Sequence, residues 1–134
     1  MSDVTHRRID GLDAVEGFLE GKGFRFYRAR AGLGVSSFGL SIIEMPPDST
    51  EYPEHDHSTE GLGPPPEQLG QEEVYIALGG SGEVEVDGDR YQLDPEHVIR
   101  VGPSSKRKLL PGPQGMRLLA IGGVPGEAFD PDWR

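Results

Sequence analysis

Residues 72–93 read EEVYIALGGSGEVEVDGDRYQL, and this stretch decides the fold. From Gly82 onward apolar and charged side chains alternate: Val84 and Val86 against Glu83 and Glu85, then Tyr91 and Leu93 beyond Asp87-Gly88. A period of two belongs to a strand with one buried face. Asp-Gly between two such runs marks a tight hairpin, because Gly tolerates the positive φ that two-residue turns demand. Upstream, residues 73–78 form a further strand, with Glu73, Tyr75 and Ala77 on one face and Val74, Ile76 and Leu78 on the other. Both faces carry apolar groups, as expected inside a two-sheet sandwich.

Working outward, the rest of the chain continues the pattern of short strands and frequent turns. Residues 24–29 alternate as a strand, Gly32 to Ser36 reads as a flexible connection, and residues 38–45 form a largely apolar strand ended by Pro46-Pro47. Residues 51–57 give another strand. Residues 58–71 are rich in Gly, Pro and polar groups and read as a long loop. Residues 98–101 and 116–121 complete the strands, with a turn at Pro111-Gly112-Pro113. One short helix is expected at residues 10–23, where Leu12, Val15, Phe18 and Leu19 recur at helical spacing between Asp caps and Gly stops. The tail from residue 123 shows little periodicity and is expected to pack through Phe129 and Trp133.

Composition agrees with an all-β class. The chain has 134 residues, enough for one domain spanning 1–134 with a real core, and carries 20 Gly and 12 Pro against 34% hydrophobic residues. There is no cysteine, which excludes disulfides and thiolate metal ligands. Thirteen Lys plus Arg against 23 Asp plus Glu give a formal charge of -10, which opposes general binding to nucleic acid or anionic membrane. No apolar run reaches the roughly 20 residues of a membrane span. The opening MSDVTHRRID is not followed by a hydrophobic segment, so a cytoplasmic location is expected.

The chemistry gathers in EYPEHDHSTE, residues 51–60, and the strand after the loop. His55 and His57 are two apart, so on extended backbone their imidazoles project together. A carboxylate from Glu72 or Glu73 beside them completes a set suited to a divalent metal with open positions. Further on, parity links Arg107 to Leu109: if the leucine faces the core, so does the arginine, while Lys106 and Lys108 face water. Tyr75 lies on the same face as Glu73. His6 and His97 read as solvated surface residues.

HDH, EEVYIALGGSG and VEVDGDRYQLDPEHVIRVGP together resemble the two motifs of the cupin superfamily, over about residues 40–122. The resemblance implies a double-stranded β-helix, a jelly-roll barrel, with a ligand site inside. Its His-x-His matches His55 and His57, its Glu matches Glu73, and its Gly matches Gly80 at the family spacing; Glu72 is off by one. Residues 58–72 separate the His pair from the Glu by more than the family usually does. The Pro-x-Gly-x-x-His of the second motif falls on Gly102-Pro103-Ser104-Ser105-Lys106-Arg107, so Arg107 stands where the fourth ligand would be. Arginine remains protonated and offers no lone pair to a metal.

Three readings follow. In the first, His55, His57 and Glu73 bind a divalent metal (Fe, Mn, Zn or Ni) as a three-ligand site, while Arg107 and Tyr75 contact a small, anionic organic molecule. In the second, no metal binds: Arg107 pairs with Glu73, or holds the ligand of a metal-free binding or sensing module. In the third, the barrel is a structural dimer with a vestigial pocket. The resemblance also implies a homodimer, and it does not choose between enzyme and binder.

Overall fold

The computed structural model describes residues 2–58 and 70–126. Six strands form one continuous hydrogen-bonded system: β1 (Arg25–Tyr27), β2 (Gly39–Met45), β3 (Glu72–Val86), β4 (Asp89–Leu93), β5 (Val98–Val101) and β6 (Lys108–Gly123). Their order is β1-β2-β6-β3-β4, with β5 pairing the first half of β3, and every pairing is antiparallel. The arrangement is a jelly roll in which two long strands, β3 and β6, each serve both sheets.

Long strands can turn from one sheet into the other only where the ladder is broken. β3 slips against β6 twice, between Ala77 and Gly79 and between Gly80 and Gly82. The first leaves Leu78 as an extra residue in β3, the second sets Ser81 against residues 112–115 of β6, and both bend the strand. The buried face of β3 accordingly changes parity, from Tyr75 and Ala77 before the bend to Val84 after it. Gly80 takes φ +69°, and a Cβ there would stand 2.2 Å from the Gly115 carbonyl oxygen. That contact is the physical reason for glycine at this distance from Glu73. The expected break between residues 78 and 82 is therefore a bend inside one strand, and the expected Pro111-Gly112-Pro113 turn lies within β6 in the same way.

The hairpin at Asp87-Gly88 forms as read, with Val86 facing Asp89 and both turn residues at positive φ, +52° and +81°. The core gathers the inward residues of both sheets, among them Ile43, Tyr75, Val84, Leu93, Leu109 and Leu118.

The helix expected at residues 10–23 does not form. A 3-10 turn at Ile9–Gly11 is followed by a single bridge, Ala14 to Tyr27, and then turns. Gly17, Leu19, Gly21 and Gly23 all have positive φ, which a right-handed helix cannot use. The apolar spacing instead reflects docking: Leu12 packs with Tyr27 and Ile42 on one side, while Phe18 and Leu19 pack on the main core. The short helix of this region falls at Ala29–Leu33 (α1), where a strand end and a flexible connection were expected. Gly34 ends it in the left-handed conformation, its N–H on the Arg30 carbonyl. No helix among the described residues is long and apolar enough to cross a membrane. Most of the loop expected at residues 58–71, and the tail with Phe129 and Trp133, lie outside the described residues.

Candidate functional site

Glu73 sits at the start of β3 between two neighbours, Gly122 of β6 and Val101 of β5, so its side chain enters the barrel from a strand held on both edges. Gly122 leaves the room: a Cβ there would come within 2.3 Å of Gln71 Oε1 and 3.5 Å of Glu73 Cγ. Glu72, one residue earlier, faces outward and binds Arg100 at 2.7 Å. The choice between the two carboxylates is thus made by strand parity.

The histidines are not on a full strand, contrary to the expectation for residues 51–57. A single antiparallel bridge joins His55 to Arg107, with N···O distances of 3.0 and 2.8 Å, and the His57 N–H reaches the Pro103 carbonyl at 2.9 Å. The backbone of residues 103–107 therefore places both imidazoles. Their ring centroids are 5.2 Å apart, and the Tyr52 ring lies 5.8 Å from that of His55.

Three donors converge on one oxygen, Glu73 Oε1: His57 Nε2 at 2.7 Å, the Tyr75 hydroxyl at 2.6 Å and Arg107 Nη1 at 2.9 Å. Arg107 has no exposed surface. Its other hydrogen bonds go to the Gly102 carbonyl (Nη2, 2.6 Å), the Ser105 carbonyl (Nε, 3.0 Å) and the Tyr75 oxygen (Nη1, 3.2 Å). Among the described residues no buried side-chain polar atom lacks a partner. The parity argument from Leu109 thus leads to a guanidinium wholly inside the protein.

Electrostatics fix the protonation states. Burial is the largest influence on Glu73 and pushes its carboxyl up. The hydrogen bonds from His57 and Tyr75, together with the charges of His57 and Arg107, outweigh it and hold the group below its ordinary 4.5. An ionised carboxylate only accepts, so His57 Nε2 carries the proton in their bond. Burial lowers His55 below its usual 6.5, against the opposing pull of its bond to the Pro53 carbonyl. That carbonyl, 3.1 Å from Nδ1, can only accept, which leaves neutral His55 with its proton on Nδ1 and a lone pair on Nε2. Burial, then the Glu73 charge, raises both tyrosines, Tyr52 to about 12 and Tyr75 further.

These groups surround a cavity of about 330 Å³, with Ser41, Tyr52, His55, His57, Gln71, Glu73 and Tyr75 as its polar lining among the described residues. Phe26, Leu40, Ile43 and Leu109 are among its apolar walls. A larger groove of about 510 Å³ lies elsewhere, beside Asp48, Glu83, Arg90 and Gln92, but it is open and its Arg90 is already paired with Glu83 and Glu85. The convergence of polar groups marks the smaller cavity as the candidate site.

Of the residues singled out in the sequence, His55, His57, Glu73 and Tyr75 line this cavity together. Arg107 does not line it; it stands behind Glu73 with its donors committed to the protein. Tyr52 was missed because it reaches the cavity from an irregular segment at the opposite parity to the His pair, and Gln71, which shares the parity of Glu73, because it falls at the end of the loop expected at residues 58–71. The glycines that make room for Gln71 were the one available signal. His6 is exposed, and His97 pairs with Asp94 at the surface.

The ligand atoms of His55, His57 and Glu73 all lie within 4.8 Å of one another, a group that could hold a metal ion. The charge beside it argues the other way. A divalent ion on Oε1 would lie about 2.1 Å from that oxygen and hence about 5 Å or less from Arg107 Nη1. At an effective dielectric constant of 20 the repulsion is roughly 7 kcal/mol or more.

A bent jelly roll with two histidines and a glutamate at one end of its cavity is the cupin architecture, and the chain has the cupin fold. A cupin protein from Bacteroides fragilis superposes with a TM-score of 0.69 at 17% identity, over 99% of this chain and 94% of that one. A Cupin 2 conserved barrel domain protein from Salinispora arenicola gives 0.65 at 19% identity, over 92% and 91%. A sugar phosphate isomerase of the cupin superfamily from Silicibacter pomeroyi gives 0.65 at 15% identity, over 88% and 74%. No protein-family model matches the sequence, and no curated protein does.

Proposed function

We propose that this chain is a small-molecule-binding cupin that works without a metal, with Arg107 as the permanent cation of its site. One observation carries the reading: the Arg107 guanidinium, with no exposed surface, donates to Glu73 Oε1 at 2.9 Å. A buried carboxylate needs a positive partner, and here the chain supplies it from the position where the cupin motif has its remaining histidine. The ligand then binds in the cavity of about 330 Å³ in front of Glu73. Arg107 acts by fixing the charge and orientation of Glu73, not by clamping the ligand.

Metal analysis of protein purified without an affinity tag tests this. The expected result is substoichiometric Fe, Mn, Zn and Ni, and a melting temperature unmoved by chelator. One tightly held ion per chain would overturn it.

A second reading, the three-ligand metal centre, has its own support. His55 is oriented as metal-bound imidazoles are, with Nδ1–H on a backbone carbonyl and the Nε2 lone pair left for the cavity. Its signature is a stoichiometric ion whose loss in His57→Ala lowers stability, and the same analysis identifies the metal. For assembly, we propose a homodimer: Leu78 and Val98 leave 44% and 70% of their surface exposed on neighbouring strands, available to a second copy. Sedimentation equilibrium decides it.

A further inference from the structure

We infer that residues 17–23 form a hinged strap whose Phe18 positions the aromatic wall of the cavity, and that release of the strap frees this wall to move. The wall is Phe26 and Tyr52, both of which line the cavity. Neither is backed by the barrel alone. The Phe18 ring, which does not line the cavity, stands 5.2 Å from that of Phe26 and 5.8 Å from that of Tyr52, with Phe24 at 6.4 Å closing the cluster. Tyr52 in turn lies 5.8 Å from the His55 ring. An aromatic path therefore runs from the strap to the site. A ligand that pushes on Tyr52 acts on the strap, and the strap acts on the ligand, because coupling between two places is reciprocal. The device needs no metal and no charge in the site.

The strap is held loosely. On one side the Val15 N–H bonds the Phe26 carbonyl at 2.9 Å, and on the other β1 begins at Arg25. Between them, among the described residues, the sole backbone hydrogen bond is local, from the Lys22 N–H to the Leu19 carbonyl at 3.0 Å. Lys22 also meets Glu51 at 3.7 Å, but both side chains are about half exposed, so this ion pair contributes little. What docks the strap is the packing of Phe18 and Leu19, both partly buried, on the core. The backbone opposes that docking. Gly17, Leu19, Gly21 and Gly23 take φ of +71°, +45°, +77° and +85°. The glycines hold this conformation freely; a residue with a Cβ, such as Leu19, disfavours it about tenfold. Few hydrogen bonds, strain and shallow burial mark a segment that opens without the rest of the fold.

The test uses the full chain and needs no ligand. A Cβ at Gly21 meets nothing within 4 Å, so Gly21→Ala leaves every contact in place and penalises only the docked backbone; Gly17→Ala does the same at the other end. Limited trypsin digestion followed by mass spectrometry measures opening at Lys22. The His55 ring-proton resonances, taken at constant pH, report the wall, because they feel the ring current of Tyr52. Either variant is expected to speed cleavage after Lys22 about tenfold and to shift the His55 resonances, while amide exchange along the β3–β6 ladder keeps its wild-type rates. Faster cleavage with His55 unmoved would refute positioning through Tyr52. Unchanged cleavage would refute the hinged strap, whatever His55 does. Exchange that quickens across β3 and β6 in step with cleavage would overturn it too, since Lys22 would then open only with the whole fold.

Discussion

Replacing Arg107 with histidine reverses the one change that separates this site from the four-ligand cupin pattern, and its consequences follow from the distances. The substitution removes the bonds from Nη1 to Glu73 and Tyr75, from Nη2 to Gly102 and from Nε to Ser105. Breaking one side of a buried ion pair costs about 3–5 kcal/mol. At about 3 °C per kcal/mol for a chain of this length, the metal-free variant should melt roughly 10–15 °C below the wild type. Metal affinity should move the other way. The repulsion of roughly 7 kcal/mol disappears and a third imidazole arrives as the fourth ligand. If even half of that gain survives solvent screening and rearrangement, Kd for a divalent ion tightens at least a hundredfold, about 2.7 kcal/mol. Competition titrations of zinc and manganese against a chelator of known affinity measure the change, and thermal melts with and without metal give an independent reading. Arg107→Met is the control: it loses the same stability but gains no ligand. Equal metal affinity in wild type and Arg107→His, or an unchanged melting temperature of the metal-free variant, would refute the view that the guanidinium is the resident cation.

Arg107→Lys keeps the charge but not the fork, since one ammonium cannot reach two carbonyls and Glu73 together; a loss of about 2 kcal/mol or more is expected in urea melts, and wild-type stability would mean that charge alone suffices. Acid should destabilise the fold in two stages with the same sign. His55 lies below its ordinary 6.5 in the folded state, so the unfolded chain takes the proton first and stability declines as pH falls below about 6.5. Glu73 lies below 4.5, so its contribution is whole above that value and is lost as pH falls through the lower folded value. Urea midpoints across pH 7 to about 3 should show both stages, and Glu73→Gln should flatten the second; an unchanged slope there would count against the assignment. Gly80→Ala places a methyl group 2.2 Å from the Gly115 carbonyl oxygen at a φ of +69°, and a loss of about 3 kcal/mol or more is expected by chemical denaturation.

Much of the architecture was legible because strand signals are local. The Asp87-Gly88 hairpin, the buried Tyr75 and Ala77, and the pairing of Arg107 with Leu109 on the inner face all follow from counting by twos. The same counting selects Glu73 over Glu72. What failed was continuity: β3 and β6 run through glycines and prolines that read as turns, because a bulge and a turn use the same residue types. The N-terminal segment failed for a related reason. Its apolar spacing is real, but residues 12–19 meet two different parts of the core, and the glycines at 17, 21 and 23 let the chain turn between them. In the site, Tyr52 escaped notice because it reaches the cavity from an irregular segment, where parity has no meaning.

The arginine also changes how the remaining residues should be understood. In a metal centre, His55, His57 and Glu73 would act as equivalent ligands of one ion. Here Glu73 Oε1 accepts from His57, Tyr75 and Arg107, and those four side chains form one hydrogen-bonded network. His55 stands outside it, fixed by Pro53 and facing the cavity with an unused lone pair. A fixed guanidinium cannot exchange, so the charge of the site does not vary with metal supply. The same fixity removes the open coordination positions through which a metal would bind a ligand. On the metal-free reading proposed above, recognition passes from the carboxylate to the edge of the network, where His55 faces the cavity. The two histidines of one His-x-His motif thus differ in their contacts, His57 on Glu73 Oε1 and His55 on the Pro53 carbonyl.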